Sequence, residues 1–300
     1  MIDLSLLPAP SVIEKIDFET LLKKRKARLL ELTAPENRPD LARVLALESE
    51  PLVKLLEENA YQEMVLRARI NDAAKAGMLA YAQGADLDHA CVWLNVKRLL
   101  IDAGDPTSTP PKPAIYENDT RLRLRAQMAL EGLSVAGSRG AYLFHTLSAS
   151  AQVDHAQIIQ PTRADAGHVR VIILDQRANG IADANLIKQV SDYLSAETIR
   201  PLTDYVTVEA ATPINFSVVA TLEIDSGPDR TLLLDAARKN LDSAIASFRK
   251  ISKDAPRSAI YAALHVPGVS RVVLTSPAAD VICNDAEFPF CTSITLSIAQ

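Results

Sequence analysis

Apolar positions recur at helical spacing through the first third of the chain. Phe18, Leu21, Leu22, Leu29 and Leu32 share one side of a segment that Arg25 interrupts, which predicts an amphipathic N-terminal helix within residues 1–35. A proline-containing break follows at 34–39. From Leu52, alternate steps of four and three give Leu52, Leu56, Asn59, Glu63, Leu66, Ile70, Ala73, Gly77 and Ala80. This is a coiled-coil-like seam with two consecutive polar misfits, Asn59 and Glu63. Ala60 and Met64, one position further on, offer the stripe a way past the gap. The expected helix runs from Pro51 to Gln83, about 50 Å at 1.5 Å per residue, and stops at Gly84. Val53, Leu55, Tyr61 and Val65 lie off the seam. Neighbours are therefore expected on more than one side, either helices of the same chain or helices of partner subunits.

Asp86 reads as the N-cap of a shorter helix reaching Asn95. Pro106 to Pro113, with four prolines in eight residues, reads as a linker. A further helix is expected from Asp119 to Glu131, and Gly137 and Gly140 permit a tight reversal after it. From Gly140 the pattern changes to helices alternating with short strands. Helices are expected at 141–147, 184–194, 230–248 and 258–264. Strands are expected at 153–160, 168–174, 205–209, 216–224, 269–274 and 293–298. Arg200-Pro201 sets an extended approach to the strand at Tyr205. A helix from Tyr142, a strand to Ile159, Pro161 and a strand resemble a helix from Tyr261, a strand to Leu274, Pro277 and a strand. The expected fold class is α+β. A long-helix, coiled-coil-like N-terminal region, with a helical part at 36–139, precedes two small α+β domains at 140–212 and 213–300 with antiparallel or mixed sheets.

Composition narrows the function classes. With 48% hydrophobic and 23% charged residues the chain matches an ordinary globular protein that can bury its own core. A net charge of −5 argues against a dedicated nucleic-acid binder, and 5% aromatics against a sugar- or base-stacking surface. Cys91, Cys283 and Cys291 make no disulfide framework or zinc pattern. No secretory leader or membrane-spanning run is apparent, so synthesis and folding in the cytoplasm are expected. Asp225-Ser226-Gly227 matches the short aspartic-protease signature, but that chemistry needs a second carboxylate, and a strand-to-helix turn with Asp229 as N-cap explains the residues. His89, His145, His155, His168 and His265 show no metal-ligand spacing, although His145 and His155 flank a helix–strand junction. Asp86 and Asp88 lack the glycine and glutamate of a calcium loop. Lys23 to Lys26 with Arg28 form a basic helix face, read as solvated, with phosphate or an acidic partner as the alternative. No catalytic, metal, cofactor or small-molecule site is expected.

Several stretches together resemble the baseplate protein J family of P2-type contractile phages and R-type bacteriocins. They are Leu47 to Leu56; Ala80 to Asp88 (with Gly84, Asp86 and Asp88) followed by Asn95 to Arg98; Glu117 to Arg125 around Asp119; Ser134 to Tyr142 around Gly137; Ile199 to Val206 around Arg200, Pro201 and Asp204; and Ala259 to Val269 around Gly268. The resemblance spans nearly the whole chain in order. It implies a structural baseplate wedge component without enzymatic activity, and makes residues 36–139 a wedge-bundle region. Implied partners are a second copy of the chain, a second wedge protein, a small sheath-initiating protein and neighbouring wedges in a six-fold ring that relays the trigger for sheath contraction. Another phage-tail connector, or a hydrolase using Asp225, is the alternative.

Overall fold

The computed structural model describes residues 4–8, 10–134, 136–159, 162, 166–177, 179–224 and 230–299. Asp225, Asp229 and Pro161, singled out above, lie outside the described residues. The fold is α+β, with nine α-helices and three small sheets among the described residues. The chain divides into two compact units, residues 1–97 and 98–300.

The first unit is helical. Helix α1 spans Phe18–Leu32, and the Asp17 carboxylate caps it by accepting the Thr20 N–H at 2.9 Å. The proline break forms a 3-10 turn and then α2, Arg38–Leu45. Helix α3 spans Pro51–Ala76 and packs on α1 through Leu21, Leu22, Leu56, Ala60 and Met64. The long coiled-coil helix to Gln83 does not form. Gly77 ends α3 at about 39 Å, because a glycine interior to a helix costs about 1 kcal/mol and residues 77–82 break into turns. Gly84, with φ of 51°, opens α4 (Gly84–Val92) instead of ending a helix, and Asp86 lies in its first turn while Gln83 holds the N-cap position.

The second unit begins with a hairpin, β1 (Leu100–Asp102) against β2 (Ile115–Tyr116), whose tip is the proline-rich segment read as a linker. Helix α5, Asp119–Met128, leads to α6, Arg139–Ala149, in which Gly140 is an ordinary helical residue. Strands β3 (Val153–Ile159) and β4 (His168–Asp175) pair antiparallel. Helix α7 (Ala184–Leu194) then returns the chain so that β5 (Tyr205–Ala210) pairs parallel with β4. Leu186, Val190 and Leu194, one turn apart on α7, are buried against this sheet beside Tyr142 and Leu147 of α6.

The last third is β6 (Thr212–Ile224), α8 (Arg230–Phe248), α9 (Arg257–Leu264), β7 (Val269–Ser276) and β8 (Glu287–Ile298). Its sheet has the order β7-β6-β8, antiparallel on one side and parallel on the other. The likeness between the two α+β parts therefore stops short of topology: β3 and β4 are neighbours, whereas β6 separates β7 from β8. Ala237, Leu241, Ile260 and Leu264 cover one face of this sheet. Strand β4 is apolar on both sides. Val171 and Ile173 face α6 and α7, while Ile172 and Leu174 join Ala211, Ile251 and Phe288 in a core shared by the two α+β parts.

Candidate assembly surface

Which face of α3 points inward is set by charge as much as by apolar spacing. Glu63, a misfit in the predicted seam, pairs with Arg25 of α1 at 2.8 Å and with Arg67 at 2.9 Å. The Arg67 hydrogen bond, with that of Arg25, holds its carboxyl below the ordinary value. Buried Asn71 closes the same side: its amide exchanges two hydrogen bonds with the Glu14 backbone, at 2.9 and 3.0 Å. Two of the three interruptions seen in the sequence, Arg25 and Glu63, are thus partners. Their matching was the available signal.

With Val53, Ala60, Glu63 and Asn71 turned inward, the predicted seam runs along the flank and outward. Leu52 and Leu56 are half-buried, whereas Leu66 is 64% and Ile70 62% exposed, with Ala73 exposed beside them. Gly77 is exposed at the helix end and Ala80 lies beyond it in a turn. Leu55, Tyr61 and Val65 are exposed as well, so α3 keeps apolar side chains on its outer surface. Asn59 bonds back to Leu55 O at 2.8 Å. The basic cluster on α1 is divided among local duties: Arg25 takes Glu63, Lys26 donates to Leu45 O at the end of α2 at 2.9 Å, and Arg28 pairs with Glu31 at 3.0 Å. Lys23 and Lys24 are exposed.

Motif residues of the second unit serve the fold. Arg98 donates to Glu117 O and to the Asp119 carboxylate, both at 2.7 Å, and pins the hairpin to the start of α5. The fully buried Glu117 carboxylate receives Arg125, Arg121 at 3.0 Å and the Leu99 N–H at 3.0 Å. Arg121 reaches on to Leu147 O at 2.9 Å, Ser150 O at 2.8 Å and Val153 O, which ties α5 to the end of α6 and the start of β3. Sequence patterning gave Glu117, Arg121 and Arg125 no such role, since a run of alternating charges reads as a solvated face.

A second group brings together Gly137, Tyr142, Arg200, Pro201 and Asp204. Tyr142 donates to Asp204 at 2.7 Å, and burial with that acceptor raises the phenol well above its ordinary value. Arg200 donates to Asp204 O at 2.9 Å, closing a turn from Pro201 to Asp204 where an extended segment was expected. A Cβ on Gly137, whose φ is 68°, would stand 2.7 Å from the Asp204 carboxylate. Gly268 turns the chain between α9 and β7 with φ of 102°. Gly84, Asp86 and Asp88 sit in α4.

The titratable candidates are dispersed. His145 bonds Gly132 O at 3.0 Å, while His155 accepts the Ile251 N–H at 3.3 Å, so the two histidines do not meet. Cys283 and Cys291 are free thiols. Among the described residues no group of three His, Cys, Asp or Glu side chains is arranged to hold a metal ion, and no helix is long and apolar enough to cross a membrane.

Comparison with known proteins agrees along the chain. Models of the Baseplate J-like N-terminal, central and C-terminal domains match residues 48–105, 134–210 and 214–297, in that order. Baseplate protein J of Escherichia phage P2 is 46% identical over 292 residues, covering 97% of this chain and 96% of that protein. A cryo-EM structure of the anti-feeding prophage (AFP) baseplate, 6-fold symmetrised, superposes with a TM-score of 0.39 at 14% identity over 60% of this chain and 44% of that chain. With three domain models in register and close identity over nearly its full length, the chain belongs to the Baseplate J-like family of phage tail baseplate proteins.

Proposed function

We propose that this chain is a structural wedge component of the baseplate of a contractile phage tail or tailocin, acting without catalysis. Its N-terminal helices pack against helices of a second copy, a second wedge protein and a small sheath-initiating protein. Its C-terminal half contacts other copies and links wedges into a six-fold ring that relays the trigger for sheath contraction. Assembly takes place in the host cytoplasm. The observation that carries this reading is the outer face of α3, where Leu66 and Ile70 are 64% and 62% exposed at helical spacing on a well-formed helix. Apolar side chains in such a row favour burial against a partner.

Leu66→Asp tests it. In the isolated chain this position faces solvent, so the variant should be soluble with a wild-type circular dichroism spectrum. Against a partner helix the same carboxylate would be buried unpaired, which costs several kcal/mol. The variant should fail to co-purify with its wedge partners and yield no contractile particles. Normal co-purification and particle assembly would overturn the assignment of this face.

A further inference from the structure

A strand at the edge of a sheet leaves a row of amide groups unpaired, and proteins blunt such edges with charge, proline or cover. Of the edges here, β3 carries Asp154 and His155, β5 carries Glu209 paired with Arg170, and β7 carries Arg271 paired with Glu223. β8 differs. From Phe290 the chain reads Phe-Cys-Thr-Ser-Ile-Thr-Leu-Ser-Ile-Ala, with no charged side chain, no proline and many β-branched residues.

The register shows which of its groups point away from β6. Ala299 donates to Leu222 O of β6, and along a parallel ladder successive residues direct their N–H and C=O to alternate sides. Residues 293, 295 and 297 thus address β6, while Ile294, Leu296 and Ile298 direct their amides outward. The Arg238 guanidinium approaches Ile294 O to 3.4 Å from that side. Side chains alternate too. Ile294 and Leu296 pack toward the α8 core, whereas Thr295 and Ser297 are exposed on the opposite face, Ser297 Oγ lying 2.9 Å from Thr221 Oγ1.

We propose that the β8 edge pairs with the β8 edge of a second copy of this chain, antiparallel about a two-fold axis at Leu296. The inference rests on the reading that copies meet through their C-terminal halves, and it names the strand that does so. Leu296 then faces its counterpart and Ile294 faces Ile298, exchanging about six hydrogen bonds across the axis. Thr295 lies beside Ser297 of the other copy, hydroxyl against hydroxyl. The uncharged segment from Phe290 onward meets its own copy without like-charge repulsion, and a two-fold contact is self-complementary and closed. Arg238 moves off Ile294 O and keeps its partner Asp242.

The full-length protein tests this by sedimentation velocity. Thr295→Lys with Ser297→Lys sets like charges against one another across the axis, on the face that is solvated in the single chain. The wild type should self-associate, and this variant about tenfold more weakly. An equimolar mixture with the Thr295→Glu, Ser297→Glu variant should regain the affinity. Independently of any variant, the Ile294, Leu296 and Ile298 amides of the wild type should gain hydrogen-exchange protection with rising protein concentration. Self-association indifferent to the charge variants, with those amides unprotected, would overturn β8 pairing and leave contact between copies standing. A wild type that stays monomeric at every accessible concentration would overturn both.

Discussion

Removing the Glu117 carboxylate should unsettle the second unit more than its small size suggests. In Glu117→Ala, the side chains of Arg125 and Arg121, 4% and 13% exposed, lose the anion between them, and the Leu99 N–H loses its acceptor. Breaking a buried ion pair from one side costs about 3–5 kcal/mol, since the remaining charge is left without compensation. Arg121 keeps its carbonyl partners at Leu147, Ser150 and Val153, and Arg125 keeps Ser148 Oγ at 3.2 Å, which places the expected loss near about 3 kcal/mol. That is a large share of a domain stability of about 5–15 kcal/mol. Glu117→Gln retains the shape and an acceptor for Leu99, so about half that loss is expected. Urea unfolding followed by far-UV circular dichroism reads both variants against the wild type. A Glu117→Ala midpoint within the equivalent of about 0.5 kcal/mol of wild type would refute the reasoning, because it would mean that the two guanidiniums are satisfied without the carboxylate.

Two further outcomes follow from the second unit. Gly137→Ala should lower stability by about 1–3 kcal/mol, because it combines a left-handed backbone with a Cβ against the Asp204 carboxylate; an unchanged thermal midpoint would show that the turn gives way freely. Burial, with Lys250 nearby, pulls the His155 imidazole from 6.5 down to about 4, so the unfolded chain binds its proton first. His155 therefore contributes stability that is complete above pH 6.5 and lost as pH falls toward about 4, amounting to about 1–3 kcal/mol. Asp154, whose carboxyl is pushed up by burial, works in the opposite sense, so His155→Gln against wild type isolates the histidine. Identical falls in urea midpoint between pH 7.5 and 5 in the two proteins would rule out its role.

Elements whose periodicity is local were legible. Phe18–Leu32, Ala184–Leu194 and Arg230–Phe248 form where the apolar spacing and flanking residues place them, because one buried stripe determines each helix. The extent of α3 was not legible, since the seam continues through Ala73, Gly77 and Ala80 as far as spacing can tell. What ends the helix is the backbone cost of Gly77, which a hydrophobic pattern does not register. Strand order was hidden for a related reason. The placement of β6 between β7 and β8 depends on contacts across some fifty to eighty residues, and alternation within a strand carries no information about its neighbours. Buried charge was the least legible, because Glu117 and Arg125 look the same in sequence whether solvated or enclosed.

The residues that pin the second unit and those proposed for assembly differ in what their side chains do. Glu117, Arg121, Tyr142, Arg200 and Asp204 all lie within stretches that resemble the family, and each spends its polar groups on other parts of its own chain. A side chain engaged in this way is unavailable to a partner, so these positions serve the fold. Leu66 and Ile70 on α3, within the residues matched by the N-terminal domain model, make no demand on the core and are more than half exposed. Substitution at such positions leaves the single chain nearly as stable as before while altering what it can dock against. With the outer face of α3 as the proposed docking face, substitutions there change what the chain docks against while the inner ion pairs hold the fold constant.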